Sequence, residues 1–250
     1  MFDLLTSTLA SQTRLWAGTK AAKTTINEQD PLIMYDNEAD PLCRLVREAI
    51  SELNLDVLII PCPKGGERHR QELQEMYSTD KIPFLIDKNT QIILNSASEI
   101  ISYLYKHYAN SSAPIRLRAN IFNYASSTSA SLIRCNAGKT KKPALKPTDP
   151  LVLYSFESSP YSRPVRETLC ELELPYLLVN LGKQQFGELG PATRRLSPGE
   201  YSPLPETKRS VFFAEHGTVQ VPFLKDPNTN IDMFESKAIV KYLITTYAIK

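Results

Sequence analysis

Apolar and polar positions along this chain fall into two similar series. In the first, Leu32 to Tyr35 is a short apolar run of the length of a buried strand. Asp40-Pro41 then reads as a helix start, because aspartate caps and proline suits the first helical position. Leu42, Leu45, Val46, Ala49, Ile50 and Leu53 recur at helical spacing and give that helix one apolar face. Val57 to Ile60 is a second strand, and a polar segment with helical spacing follows over 67–77. Ile82-Pro83-Phe84-Leu85 opens a third strand, where the proline implies a sheet edge or a cis turn. Asp87-Lys88-Asn89-Thr90 is turn chemistry before a fourth strand, and a last helix runs to Tyr108.

The second series repeats the first. Residues 31–57 align on 150–176 without a gap, with 12 identities in 27, and residues 82–109 align on 221–248 with 12 in 28. Residues 7–18 match 127–138 at 7 of 12 positions. The offset grows from 119 to 139 between the two long blocks, which places a 20-residue insertion in the second copy around the Pro/Gly-rich stretch 187–205. Such self-similarity marks a duplicated module. The predicted order in each copy is βαβαββα, a mixed α/β sheet with helices on both faces. Segments 2–16 and 115–135 add an amphipathic helix before each copy. The domains are therefore 1–30 (helix and linker), 31–110 (first module), 111–149 (helix and basic linker) and 150–250 (second module). Two separate modules are expected, and one continuous sheet running through the whole chain would contradict that reading.

Composition adds limits. The chain has 250 residues, 42% hydrophobic and 22% charged, as in ordinary globular proteins. A net charge of +2 gives no argument for nucleic acid. The charge is uneven: residues 1–110 carry −4, residues 111–149 carry +6, and the remainder is neutral. Cys43, Cys62, Cys135 and Cys170 form no CxxC pair and are too few for a secreted disulfide framework, which implies reduced thiols in a cytosol-like compartment. No 18-residue apolar run predicts a membrane span. The three histidines lack metal spacing, so no metal is expected. Gly65-Gly66 with the charges after it lacks the phosphate-loop pattern and reads as a helix entry.

The strand order with an X-Pro before the third strand resembles the thioredoxin fold, and the details resemble the amino-terminal domain of soluble glutathione S-transferases and glutaredoxins. Ser159-Pro160-Tyr161-Ser162 stands where glutaredoxins have Cys-Pro-Tyr-Cys and tau-class transferases have Ser-Pro-Phe. Val221-Pro222 is similar to the Val-cis-Pro step that pairs with the glutathione backbone, and Glu235-Ser236 to the pair that holds the γ-glutamyl carboxylate. The tandem form, with Cys62 to Gly66 (CPKGG) in copy one, resembles a family of cyanobacteria and plastids. The resemblance covers roughly 180 residues. It implies two tandem thioredoxin-like domains without the all-helical domain of transferases, and cis bonds at both Ile82-Pro83 and Val221-Pro222.

It also implies glutathione as ligand or substrate of the second module. Ser159 would be the catalytic or thiol-contacting residue, with Gln220, Val221, Pro222, Glu235 and Ser236 in the binding site and Lys183 or Gln220 near the glycyl carboxylate. Ser159 is equally a simple helix cap. Copy one has Ser96-Ala97 in place of the Glu-Ser pair, and Asp40 where a thiolate would lie. Cys43 is a possible redox thiol, opposed by Asp40. The competing reading is a non-catalytic thioredoxin-fold scaffold that binds a protein partner. A membrane surface is the other such partner, reached through the amphipathic helices and Lys139, Lys141, Lys142 and Lys146. Either way the expected setting is the cytoplasm, or the plastid stroma in a eukaryote.

Overall fold

The computed structural model describes residues 2–23, 29–189 and 200–249. Residues 190–199, the middle of the expected insertion, lie outside the described residues. The leading helix α1 spans Phe2–Thr13. The first module follows as β1 (Leu32–Asp36), α2 (Pro41–Glu52), β2 (Val57–Pro61), α3 (Arg68–Tyr77), β3 (Phe84–Asp87), β4 (Ile92–Leu94) and α4 (Ala97–Ala109). A second leading helix, α5 (Ile121–Ile133), precedes β5 (Leu151–Ser155), α6 (Arg163–Glu171), β6 (Tyr176–Asn180), α7 (Lys208–His216), β7 (Phe223–Asp226), β8 (Ile231–Phe234) and α8 (Ser236–Tyr247). Both modules thus have the βαβαββα order, each preceded by a helix, and both X-Pro bonds are cis.

The expectation of two separate sheets is corrected by the strand order. The eight strands form one sheet, β4-β3-β1-β2-β6-β5-β7-β8. The joint is an antiparallel pairing of β2 with β6: Val57 with Leu178, Leu58 with Leu177, and Ile59 with Tyr176. The physical reason lies in those strands. Val57, Ile59, Tyr176 and Leu178 are buried on one face, while Leu58, Ile60, Leu177 and Val179 make the other face apolar too. A strand apolar on both faces cannot remain an open edge without inviting a partner, and here the partner is its own repeat.

Leu58 faces Leu177, its counterpart in the duplication, so the register puts a pseudo-twofold axis through that pair. The chain is an isologous dimer made from one polypeptide. The main core lies on the sheet face covered by α2, α4, α6 and α8, and runs unbroken across the axis through Val57, Ile59, Tyr176 and Leu178. Smaller clusters on the opposite face sit under α3 (Tyr35, Cys62, Leu73, Phe84) and α7 (Leu181, Phe212, Phe223).

The leading helices pack against each other and across the axis. Ser11 Oγ of α1 donates to Ser158 O of the second module at 2.8 Å. Ser131 Oγ and Ser127 Oγ of α5 donate to Ala39 O and Pro41 O of the first, at 2.7 and 3.0 Å. The segments after the helices cross as well: Lys183 N donates to Thr19 O and Lys64 N to Lys139 O. Gly18 allows this approach. Its φ is +77°, and a Cβ there would meet the Cβ of Glu157 at 2.8 Å.

Candidate functional site

The first turns of α2 and α6 are where the sequence placed a thiol site. In the first module Asp40 Oδ1 accepts from the Leu42 and Cys43 amides at 2.9 Å, so the carboxylate fills the cap itself. Cys43 is enclosed, and burial, with Asp40 and Asp36 adding to it, pushes its thiol well above the ordinary range. Burial and the neighbouring carboxylates thus oppose a thiolate at Cys43 and with it the possible redox role.

In the second module α6 starts at Arg163, one turn after Ser159, although the Arg163 amide already donates to Ser159 O at 3.2 Å. Ser159 Oγ accepts from the Ser162 amide at 3.3 Å and from the Ser162 hydroxyl at 3.0 Å, which is the geometry of a cap. Ser159 and Ser162 are 2% and 0% exposed. Helix α1 covers this segment: Ser11 bonds Ser158 O, Arg163 Nη2 donates to Ser11 Oγ at 3.0 Å, and Thr19 Oγ1 bonds Ser158 Oγ. Each leading helix therefore lies on the helix start of the opposite module, where a thiol would otherwise meet it.

The remaining predicted residues gather at the same end of the sheet, because β7 runs antiparallel to β5 with Phe223 opposite Tyr154 and pairs β8 with Phe223 opposite Phe234. Gln220 and Glu235 are exposed, Val221 and Ser236 are half-buried and Pro222 is buried. Gln220 Nε2 donates to Glu235 Oε1 at 2.7 Å. Among the described residues, no protein group bonds the main-chain N–H or C=O of Val221. Glu235 precedes α8 with φ 73° and ψ 107°, a backbone that a non-glycine residue seldom adopts. Its counterpart Ser96 is ordinarily extended, at φ −123° and ψ 126°. The Lys183 ammonium lies 5.8 Å from the centre of the Phe156 ring, where burial holds its pKa below the usual lysine value.

Sequence reasoning missed a buried charge layer between α2 and α6. Arg47 Nη1 meets Asp36 at 2.6 Å, its Nε meets Glu157 at 3.1 Å, and its Nη2 meets Glu38 at 3.3 Å. Arg166 does the same from the other side, with Glu38 at 3.0 Å and Glu157 at 3.3 Å. Arg14, the residue after α1, pairs Glu48, and Arg134, the residue after α5, pairs Glu167, each at 2.6 Å. Every one of these residues is buried. The signal was present: Arg44, Arg47 and Glu48 recur identically as Arg163, Arg166 and Glu167. Among the described residues no group of three or more His, Cys, Asp or Glu could hold a metal, and no helix is long and apolar enough to cross a membrane.

A doubled thioredoxin-like fold with a cis-proline in each half defines the class. The family model for the glutathione S-transferase N-terminal domain matches residues 34–112 and again 153–250, and the chain belongs to that family in tandem form. A search of curated proteins found no match. Among solved structures the chain is similar to a trimeric glutathione transferase of Leishmania, TDR1, with 11% identity and a TM-score of 0.30, covering 88% of this chain and 68% of that one.

Proposed function

We propose that the second module binds glutathione by its peptide part, with the first module as a structural partner, so that the chain is a glutathione-binding, transferase-like protein. The observation that carries this reading is the backbone of Glu235. A non-glycine residue held in that region costs on the order of 1–3 kcal/mol, and such strain collects at ligand sites. The first module, which lacks the Glu-Ser pair, has no such strain at Ser96. In the proposed complex Ser236, at the start of α8, donates to the γ-glutamyl carboxylate, where free amides and the helix dipole favour an anion. Glu235 accepts from the ligand's ammonium. The main chain at Val221 pairs with the cysteinyl backbone, and Gln220 faces the glycyl carboxylate. A reducing compartment, cytoplasm or plastid stroma, fits the four unpaired cysteines.

Burial of Ser159 beneath α1 favours binding without transfer, since the Ser159 hydroxyl is not free to hold a thiolate. Calorimetry tests both parts. Reduced glutathione and S-methylglutathione are expected to bind with similar affinity. Ser236→Ala should weaken both by about tenfold, the loss of one charge-assisted hydrogen bond of about 1.5 kcal/mol. Ser96→Ala should change nothing. No heat at millimolar glutathione in the unmodified protein would overturn the reading and leave the scaffold, with a protein or membrane partner, as the better account.

A further inference from the structure

The charge layer on the internal axis is not balanced. Six guanidinium groups (Arg14, Arg44, Arg47, Arg134, Arg163 and Arg166) are buried there with five carboxylates (Asp36, Glu38, Glu48, Glu157 and Glu167). Arg44 and Arg163 are the pair left over. They are counterparts in the repeat, each 2% exposed, and each spends one Nη2 on a serine of the opposite leading helix: Arg44 on Ser131 at 2.9 Å, Arg163 on Ser11 at 3.0 Å. Nε and Nη1 of both have no protein acceptor within hydrogen-bonding reach. Arg163 Nη1 comes no nearer than 4.0 Å to Glu157, whose carboxylate is already engaged by Arg47 and Arg166. Buried donors without partners are rare in folded proteins and point to a bound water or ion. Four of the eight such atoms among the described residues belong to these two side chains.

We propose that a small monovalent anion of halide size binds between Arg44 and Arg163 on the internal axis, beneath the α1–α5 pair. The two arginines act on each other, because after burial the charge of Arg163 is the next largest effect lowering the pKa of Arg44, to about 10. The groups facing them from the packed elements are Glu38 and Glu157, which attract both guanidiniums, Glu48 beside Arg44 and Glu167 beside Arg163, and Arg47 and Arg166. A water molecule could accept from the free N–H groups but would leave the surplus charge. A halide satisfies both, and guanidinium, being weakly hydrated, suits a weakly hydrated anion. The proposal does not depend on the glutathione reading, which rests on Glu235 and not on Arg44 or Arg163.

The test uses the unmodified full chain crystallised in sodium bromide, together with its melting temperature in bromide against gluconate at fixed ionic strength. The expected results are an anomalous bromine peak between the two guanidinium groups and a saturable rise of roughly 3–8 °C in bromide. Arg163→Gln should abolish the bromide-dependent rise; should that variant not fold, the anomalous map of the unmodified chain decides. No peak, or ordered water in its place, overturns the proposal. A peak with no bromide-dependent rise means binding at crystal concentration only and overturns it equally.

Discussion

Glu157→Gln is the sharpest probe of how the halves are held together. Glu157 touches Arg47 at 3.1 Å, Arg166 at 3.3 Å and Arg163 at 4.0 Å, and is 1% exposed. Each contact amounts to roughly 4–5 kcal/mol of gross attraction at an effective dielectric of 20. Desolvation of the ions offsets most of that, and breaking such a group typically destabilises by about 3–5 kcal/mol. The shift of the Glu157 carboxyl that these contacts produce leads to a similar figure. Burial alone would raise the carboxyl, but Arg166, Arg47, Arg163 and Arg44 outweigh it and pull the pKa from 4.5 to about 2. A folded pKa that far below the unfolded one contributes about 3 kcal/mol at neutral pH. That contribution is complete above about 4.5 and is lost as pH falls toward 2. Asp36 works in the opposite direction. Burial, against the pull of Arg47, raises it from 3.8 to about 6, so stability recovers as pH falls from 6 toward 4. Urea unfolding followed by circular dichroism and by the single tryptophan, Trp16, should show one coincident transition. In the variant the loss at pH 7 should be about 3 kcal/mol, and the acid limb between pH 4.5 and 2 should flatten. A loss under about 1 kcal/mol, or an unchanged acid limb, would refute the reasoning.

Other outcomes follow from the same packing. Gly18→Ala should destabilise by at least about 2 kcal/mol, because the new Cβ is strained at positive φ and strikes Glu157; a melting curve within a degree of the unmodified protein would count against the close approach. Thiol titration of the native protein should find Cys135 alone reactive, with Cys43, Cys62 and Cys170 appearing only in denaturant. Fast labelling of Cys43 would mean that α5 lifts readily from the start of α2.

Much of the fold was legible because local rules repeat twice. The Asp40-Pro41 cap, the apolar stripe from Leu42 to Leu53 and the X-Pro before β3 each appear where periodicity and turn chemistry put them. The continuous sheet was not read, although Leu58, Ile60, Leu177 and Val179 carried the hint: an apolar second face on β2 and β6 leaves a sheet edge that must be covered. The charge layer was missed for a different reason. Arginine and glutamate on a helix ordinarily read as a solvated face, and only the partner module across the axis encloses Arg47 and Arg166. For the candidate site, residue types pointed to Gln220, Val221, Glu235 and Ser236, but the burial of Ser159 depends on α1 arriving from the other module, which no local pattern encodes.

The single-chain axis has a consequence for how the two halves can differ. In a dimer of identical subunits every substitution is made twice, and one that spoils a contact at the axis spoils it on both sides at once. Here Asp36 stands opposite Ser155, Asn37 opposite Phe156 and Cys43 opposite Ser162, so matched positions hold unlike residues. The linker also keeps the halves at a fixed effective concentration, and their pairing does not weaken on dilution. One half can specialise in recognition while its twin is kept only to complete the shared core.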